Sequence, residues 1–166
     1  MLVITKDLTI QESDFHWVLD AQELPTAFTA AKTLISLAIW QEHKKDLSVL
    51  HNLSLILNSD ELVEDIEHDL THFQLIALNF STFNDGRHFS NARLLRERFK
   101  YSGEIRALGD VTPDLMPYML RCGIDSFQLK EGSKPELALE KAREHYISYQ
   151  AAFDEKLPLY RRRAVA

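Results

Sequence analysis

Short apolar runs alternate along the chain with segments whose apolar residues recur every three or four positions. Four runs have the length and continuous hydrophobicity of buried strands: residues 53–57, 75–78, 105–108 and 126–129. A segment with helical periodicity follows each run, at residues 60–72, 88–100, 113–122 and 135–153. Such alternation is typical of right-handed β-α-β units, so the sequence predicts an α/β fold with a mostly parallel sheet.

Two architectures suit four such units. A flavodoxin-like open sheet is favoured, because the alternative, half of a TIM-like barrel, leaves its inner face bare unless it dimerises. Residues 1–50 are less regular: residues 15–19 have the pattern of an extra strand, and residues 29–45 that of a helix. We assign them to the same domain, which gives one α/β domain over residues 1–166 with a basic, flexible tail at residues 158–166.

The composition narrows the class of protein. The 166 residues carry a net charge of −6, which argues against a nucleic-acid-binding protein. No run approaches the roughly 20 apolar residues of a membrane span, and residues 1–25 lack the basic start and apolar core of a secretion signal. Cys122 is the one cysteine of the sequence, so the chain has neither an internal disulfide nor four thiolates for an iron–sulfur cluster. We therefore expect a cytoplasmic protein without a membrane or nucleic-acid partner; its oligomeric state stays open.

The charges are unevenly distributed along the chain. Residues 59–70 contain six acids and no lysine or arginine, whereas residues 86–106 contain six bases and two acids. We interpret most of these charges as the solvated faces of two neighbouring helices, with Arg87 and Arg93 as exceptions. The six bases are Arg87, Arg93, Arg96, Arg98, Lys100 and Arg106.

Polar residues follow the predicted strands where a ligand site is expected. The carboxyl ends of parallel strands meet at one edge of a sheet, and ligands bind there. Asp85 and Arg87 follow the second predicted strand, and Asp110 follows the third. A positive charge at the start of a helix opposes the helix dipole, so Arg87 is expected to have an anionic partner. That partner is either an internal carboxylate, Asp85 or Asp110, or a bound ligand, and the two alternatives are equally consistent with the sequence.

These positions define a candidate anion site. Its anion-binding residues would be Gly86, Arg87, Ser90 and Arg93, and Asp85 or Asp110 would be the candidate general base. Helix capping is the competing explanation for Ser90. Gly86 is also expected to adopt a positive φ in a turn.

Other chemistry has little support in the sequence. No glycine-rich dinucleotide or P-loop fingerprint is present. His68 and His72 have i, i+4 spacing but lack the glutamate of a zinc-protease helix, so we expect surface residues rather than metal ligands. Cys122 is expected to be a packed side chain. The sequence thus predicts no metal site and no cofactor, and flavin enters only by analogy of fold.

Three strings in the second half of the chain resemble a known bacterial family. They are FNDGRHFSNARLLRER (residues 83–98), GEIRALGD (residues 103–110) and RCGIDSF (residues 121–127). The family is uncharacterised and is described as oxidoreductases connected with sulfite reduction; the resemblance covers roughly residues 15–150 and is loose before residue 50. It implies genes for sulfate assimilation as neighbours, including the haem-type sulfite reductase, and it implies no established catalytic residues.

The single thiol limits what the resemblance can mean. Sulfite reductase needs cysteine ligands for its iron–sulfur centre, so the redox centre must belong to another protein. We therefore expect an accessory protein of sulfite reduction that docks on the reductase or its electron donor, helped by the opposed acidic and basic segments. An alternative is an enzyme or binding module for a small oxyanion such as sulfite, sulfate or a phosphorylated metabolite. A third is an interaction scaffold in which residues 83–98 are only a strong helix start.

Overall fold

A computed structural model describes residues 2–13, 15–24, 32–82, 84–130, 132–143 and 148–165. The eight strands in these ranges are β1 (Leu2–Thr5), β2 (Ile10–Glu12), β3 (His16–Val18), β4 (Thr33–Ser36), β5 (Leu53–Asn58), β6 (Leu75–Phe80), β7 (Glu104–Gly109) and β8 (Ser126–Gln128). The α-helices are α1 (Leu37–Leu47), α2 (Arg87–Arg93), α3 (Met116–Cys122), α4 (Pro135–Arg143) and α5 (Leu159–Val165). A π-helical turn, Leu94–Arg98, extends α2, and 3₁₀ helices occupy Ala21–Glu23, Val63–His72 and Pro113–Leu115.

All eight strands belong to one open sheet. Its order is β2-β1-β8-β7-β6-β5-β4-β3. Neighbours from β3 to β8 pair in parallel, whereas β1 pairs antiparallel with both β8 and β2. The prediction of an open, mostly parallel α/β sheet with alternating helices is confirmed. All four strands predicted after residue 50 are present, and residues 15–19 contain β3 as expected.

The strand order distinguishes between the two predicted architectures. Strands β3 to β8 follow one another in sequence across the sheet, as in half of a barrel, without the reversal of a flavodoxin-like order. The sheet is strongly curled for a covalent reason. Strands β2 and β3 lie at opposite edges, yet Glu12 and His16 are separated by only three residues, which span at most about 14 Å. A flat sheet of eight strands would be about 34 Å wide, so the edges must approach each other.

The inner face of the curled sheet is filled by the chain itself. Leu34, Ile56, Leu75, Ala77 and Leu108 form a buried cluster on this face, and Phe15 and Trp17 pack against it. The larger core lies on the opposite face, between the sheet and the helices. The flavodoxin-like sheet favoured by the sequence is therefore wrong. The inner face of the half-barrel is not bare, because Phe15 and Trp17 cover it.

The first helix begins later than the sequence predicts. Residues 29–31 lie outside the described residues, and Thr33–Ser36 form strand β4, paired with both β3 and β5. The helical periodicity belongs to α1, whose first turn is capped by Ser36: its Oγ accepts a hydrogen bond from the Ile39 N–H at 3.3 Å. The predicted start of the helix is wrong because strand β4 passes directly into α1, with no turn residue in the sequence to separate them.

The C-terminal part also differs from the prediction. The helix predicted over residues 135–153 ends in the described residues at Arg143; residues 144–147 lie outside them, and residues 148–154 are not helical. Instead, the Phe153 N–H donates to the Arg121 carbonyl at 3.1 Å, which docks this segment on α3. The predicted flexible tail contains helix α5, and Arg162 is not simply solvated, because its Nη2 donates to the Ser148 carbonyl at 2.5 Å. Within the described ranges, no helix is both long and apolar enough to cross a membrane.

Candidate functional site

A polar network lies at the carboxyl ends of β5 and β6. The Asn79 side chain donates through Nδ2 to Asn58 Oδ1 at 3.0 Å. The Asn79 carbonyl accepts from Ser59 Oγ at 3.3 Å and from His88 Nε2 at 3.1 Å. Asn79 therefore joins two strand ends to the start of α2, and we call the edge formed by the carboxyl ends of β5 to β8 the carboxyl rim.

His88 anchors α2 to this rim. Its ring is fully buried, with Nδ1 accepting from the Asn91 side chain at 3.2 Å and the ring edge against Phe80 at 5.2 Å between centroids. Burial lowers the pKa of His88 to about 4, so the imidazole is neutral near pH 7, with its proton on Nε2. Sequence reasoning did not single out His88. The available signal was its spacing of four residues to Ala92 and seven to Leu95, which places it on the inward face of the helix.

Arg87 has an internal partner. Its Nε lies 3.0 Å from Asp85 Oδ1 and its Nη2 lies 2.7 Å from Asp85 Oδ2, a two-pronged contact that the Arg87 backbone N–H extends at 3.2 Å. The hydrogen bonds from Arg87 hold the pKa of Asp85 well below its usual range. Of the two internal carboxylates considered from the sequence, Asp85 is the one that contacts Arg87. A carboxylate held in this way is a weak general base.

The two remaining helix residues of the predicted site do not complete it. Arg93 pairs with Glu97 at 3.2 Å, one turn along, and lines a separate cavity of about 290 Å³ together with Arg121 and Cys122. Ser90 is exposed on α2. Gly86 has φ −89°, so the predicted positive φ is wrong; the residue precedes α2 in a conformation open to other amino acids.

Asp110 lies at a different part of the carboxyl rim. Its Oδ1 is 3.0 Å from Lys130 Nζ, and both residues line a cleft of about 470 Å³. Gly109 places Asp110 there: its φ is +87°, and an added Cβ would overlap the Phe80 carbonyl. The Asp110 N–H donates to that same carbonyl at 2.7 Å. The predicted set thus occupies three places, namely the Asp85–Arg87 pair, the cleft of Asp110, and the Arg93 cavity.

Several predicted surface bases are internal. Arg96 is buried, and Arg106 is buried as well, with Nη2 2.6 Å from Glu104 Oε1 and Nε 3.0 Å from Ser126 Oγ. With Arg87 and Arg93 paired, the prediction of a solvated basic face holds for Arg98 and Lys100, which are exposed. Sequence analysis missed the burial because it is decided by partners remote in the sequence.

The acidic segment matches its prediction more closely. Four acids on or just before the 3₁₀ helix Val63–His72 are exposed: Asp60, Glu64, Asp65 and Glu67. Asp69 is buried and contacts Trp40 Nε1 at 2.9 Å and Lys44 Nζ at 2.6 Å. Burial opposes its ionisation, but these hydrogen bonds outweigh burial and lower the pKa of Asp69. We call the four exposed acids the acidic surface.

In the described ranges, no three His, Cys, Asp or Glu side chains are grouped so as to hold a metal ion. His68 is exposed, and the His72 ring lies 5.3 Å from that of Trp40. His68 is therefore a surface residue, and His72 packs against Trp40 of α1.

The fold is that of a mostly parallel α/β half-barrel with an occupied inner face. A family model described as "Bacterial protein of unknown function (DUF934)" matches residues 54–160, and the chain belongs to this family. The matched segment begins within β5 and includes both the carboxyl rim and the buried Arg96. A search of curated proteins and a search of solved structures each found no match. The description of the family assigns no activity.

Proposed function

We propose that this protein is an accessory protein of sulfite reduction in cytoplasmic sulfur assimilation, acting with a reductase that holds the redox centre. The resemblance of residues 83–98, 103–110 and 121–127 to proteins connected with that pathway supports the proposal. The single thiol of the chain supports an accessory role, because an iron–sulfur centre needs more cysteine ligands. The proposal requires no resident cofactor; flavin absorption in the purified protein would contradict this part of it.

The acidic surface carries the proposal. Asp60, Glu64, Asp65 and Glu67 are exposed on one short segment. Of the six bases in residues 86–106, two are buried, and Arg87 and Arg93 are exposed but already paired with carboxylates close to them in the sequence. The docking surface would therefore be of one sign rather than of two, which revises the expectation of opposed helices. Its partner would be a basic face of sulfite reductase or of its electron donor.

A binding experiment tests the docking. The tagged protein should retain purified sulfite reductase, or its purified electron donor, at about 50 mM salt and release it at about 500 mM. The variant Glu64→Gln/Asp65→Asn/Glu67→Gln should weaken this association about tenfold. Its control, Asp114→Asn/Glu136→Gln/Glu140→Gln, removes three exposed acids outside the acidic surface and should bind as the wild type. Equal loss in both variants, or no association of the wild type, would contradict the proposal.

A growth test addresses the pathway itself. A strain lacking the gene should fail to grow on sulfate or sulfite as sole sulfur source and should grow on sulfide, because sulfide is the product of the step. Growth on sulfite equal to that of the parent strain would remove sulfite reduction from the proposal while leaving any docking partner to be identified.

A small-oxyanion site at the carboxyl rim is the second candidate. The observation in its favour is the exposure of the Arg87 side chain, 62 % of which is accessible even though Nε and Nη2 contact Asp85. Gly86 adjoins Arg87 in this candidate, whereas Arg93 lines a separate cavity and Ser90 is exposed on α2, so the site would consist of Arg87 and the backbone beside it. The low pKa of Asp85 removes it as the general base, and Asp110 lies in a separate cleft with Lys130, so this candidate is a binding site for an oxyanion rather than a catalytic one.

The oxyanion candidate has its own test. Sulfite, sulfate and phosphate are titrated against the wild type and against Arg87→Ala, with the exposed Arg98→Ala as the control. Binding should be lost in Arg87→Ala and kept in Arg98→Ala, because Arg87 lies at the rim and Arg98 does not. Unchanged oxyanion binding in Arg87→Ala would eliminate this candidate.

A further inference from the structure

The cleft of Asp110 and Lys130 continues into a second cavity along the sheet. The first, of about 470 Å³, is lined by Asn79, Phe80, Ser81, Gly109, Asp110, Gln128, Leu129 and Lys130. The second, of about 540 Å³, shares Gln128, Leu129 and Lys130 with it. It extends to Leu2 and Pro135, because β1 runs antiparallel to β8 and so begins beside the end of that strand. The charged residues lie at one end of the combined groove, and at the other end Leu2, Leu129 and Pro135 supply apolar surface beside Gly132 and Ser133.

Among the residues that the structure describes, the polar end presents one charge of each sign. Lys130 Nζ and Asp110 Oδ1 are 3.0 Å apart, and 66 % and 30 % of their side chains are accessible from the solvent. An anion that approaches Lys130 also meets the Asp110 carboxylate, and a cation at Asp110 meets the ammonium of Lys130, so attraction and repulsion largely cancel. A ligand with both charges on neighbouring atoms can satisfy both groups.

The uncharged lining agrees with a ligand of this kind. Asn79, Ser81 and Gln128 are uncharged polar residues, so the rest of this lining favours neither sign of charge on a ligand. At the other end, Leu129 and Leu2 form an apolar wall, and Leu2 is 45 % exposed. A short aliphatic chain would cover that wall.

We infer that this groove binds a small zwitterion of the α-amino-acid type with an aliphatic side chain. Its ammonium lies beside Asp110, its carboxylate beside Lys130, and its side chain runs toward Leu2. Gly109 fixes the position of Asp110 through the hydrogen bond from the Asp110 N–H to the Phe80 carbonyl, so the charged end of the site is preformed. The inference is independent of sulfite reduction and of the Arg87 oxyanion site.

A titration of the full chain followed by ¹H–¹⁵N NMR tests the ligand class. The probes are L-leucine, 4-methylpentanoate, which has the carboxylate but no ammonium, 3-methylbutan-1-amine, which has the amine but no carboxylate, and sodium sulfate. L-leucine should shift the amide signals of Gly109, Asp110 and Lys130. The other three probes carry charge of one sign only, and each should bind at least about tenfold more weakly than L-leucine. Failure of millimolar L-leucine to bind, or equal binding of 4-methylpentanoate or sulfate, would overturn the inference.

Charge variants separate a direct contact from a structural effect. Asp110→Asn should lower the affinity for L-leucine about tenfold. It should raise the affinity for 4-methylpentanoate relative to the wild type, because Lys130 then lacks its counter-charge. Lys130→Gln should also lower the affinity for L-leucine, but it should raise the affinity for 3-methylbutan-1-amine. The control Asp114→Asn, an exposed acid outside the groove, should leave every affinity unchanged. If Asp110→Asn lowered the affinity for all probes alike, the assignment of the ammonium to Asp110 would fail.

Discussion

The buried guanidinium of Arg96 forms an ion pair with the partly buried carboxylate of Asp125 at the amino ends of β7 and β8. Arg96, only 8 % exposed, also donates to three backbone carbonyls, those of Tyr101 at 2.6 Å, Gly103 at 2.8 Å and Gly123 at 3.0 Å. The three strings that carry the family resemblance therefore meet at this side chain. Much of the motif is explained by the stability of the fold rather than by a reaction.

Arg96→Met should strongly destabilise the protein. The substitution leaves the Asp125 carboxylate without its main counter-charge and three carbonyls without their donor, and we expect a loss of about 3–5 kcal/mol in the free energy of unfolding. Urea denaturation followed by circular dichroism measures it. Arg98→Met, two residues along and exposed, is the control and should cost less than about 1 kcal/mol. Similar losses in the two variants would show that the contacts of Arg96 with Asp125 and the three carbonyls do not stabilise the fold.

Three glycines form a graded series for backbone strain. Gly109 has φ +87° and no room for a Cβ, Gly132 has φ +84° with no heavy atom within 4 Å of an added Cβ, and Gly86 has φ −89°. Gly132→Ala should cost about 1 kcal/mol from the left-handed conformation alone. Gly109→Ala should cost more than about 2 kcal/mol, because the overlap with Phe80 adds to the strain.

Gly86→Ala completes this series as the unstrained case. It should be neutral or slightly stabilising, by up to about 0.5 kcal/mol, because alanine restricts the unfolded chain. Thermal unfolding of the three variants under one buffer condition gives the ranking. A midpoint for Gly86→Ala as low as that of Gly109→Ala would contradict the assignment of strain to the carboxyl rim.

The sequence predicts those parts of the fold that depend on local pattern. The four buried strands after residue 50 are continuous apolar runs, so they were predictable. The helical segments were predictable from their periodicity, but the periodicity did not show that Val63–His72 is a 3₁₀ helix or that the last segment ends early. Strand β4 was not, because Thr33–Ser36 lead into α1 without a break. The curl of the sheet was not predictable either. The short connection from Glu12 to His16 brings the two edges together, but that is evident only once β2 and β3 are known to lie at opposite edges.

The candidate site was predictable in its location but not in its pairing. Rules for parallel sheets indicated the carboxyl rim, yet the choice between Asp85 and Asp110 as the partner of Arg87 depends on side-chain geometry in a loop. Arg96 resembles any other base of an exposed helix, since its burial is set by Asp125, 29 residues away. Propensity and periodicity carry no information about such remote partners.

His88 makes the stability depend on pH in a defined window. Its pKa is about 4 in the folded protein and 6.5 for the free side chain, so between these values the unfolded chain binds a proton that the folded chain does not. The free energy of unfolding should therefore fall as the pH drops from about 6.5 to about 4, by roughly 3 kcal/mol from this residue. His88→Gln should lack this component while keeping the other titrations. Identical pH slopes for His88→Gln and the wild type, measured by urea denaturation at a series of pH values, would contradict it.

Cys122 should be unreactive in the native protein. The residue is 3 % exposed, and burial raises the pKa of its thiol above the ordinary value, so little thiolate is present near neutral pH. Ellman's reagent at pH 8 should label the folded chain at least about 100-fold more slowly than the chain in urea, since both exposure and ionisation limit the reaction. The rate of labelling in the native protein should rise with pH, because the thiolate fraction increases as the pH approaches the raised pKa of the thiol. Cys122→Ala serves as the blank in both states. Native labelling as fast as in urea would show instead that the cavity shared with Arg93 and Arg121 holds an accessible, ionised thiol.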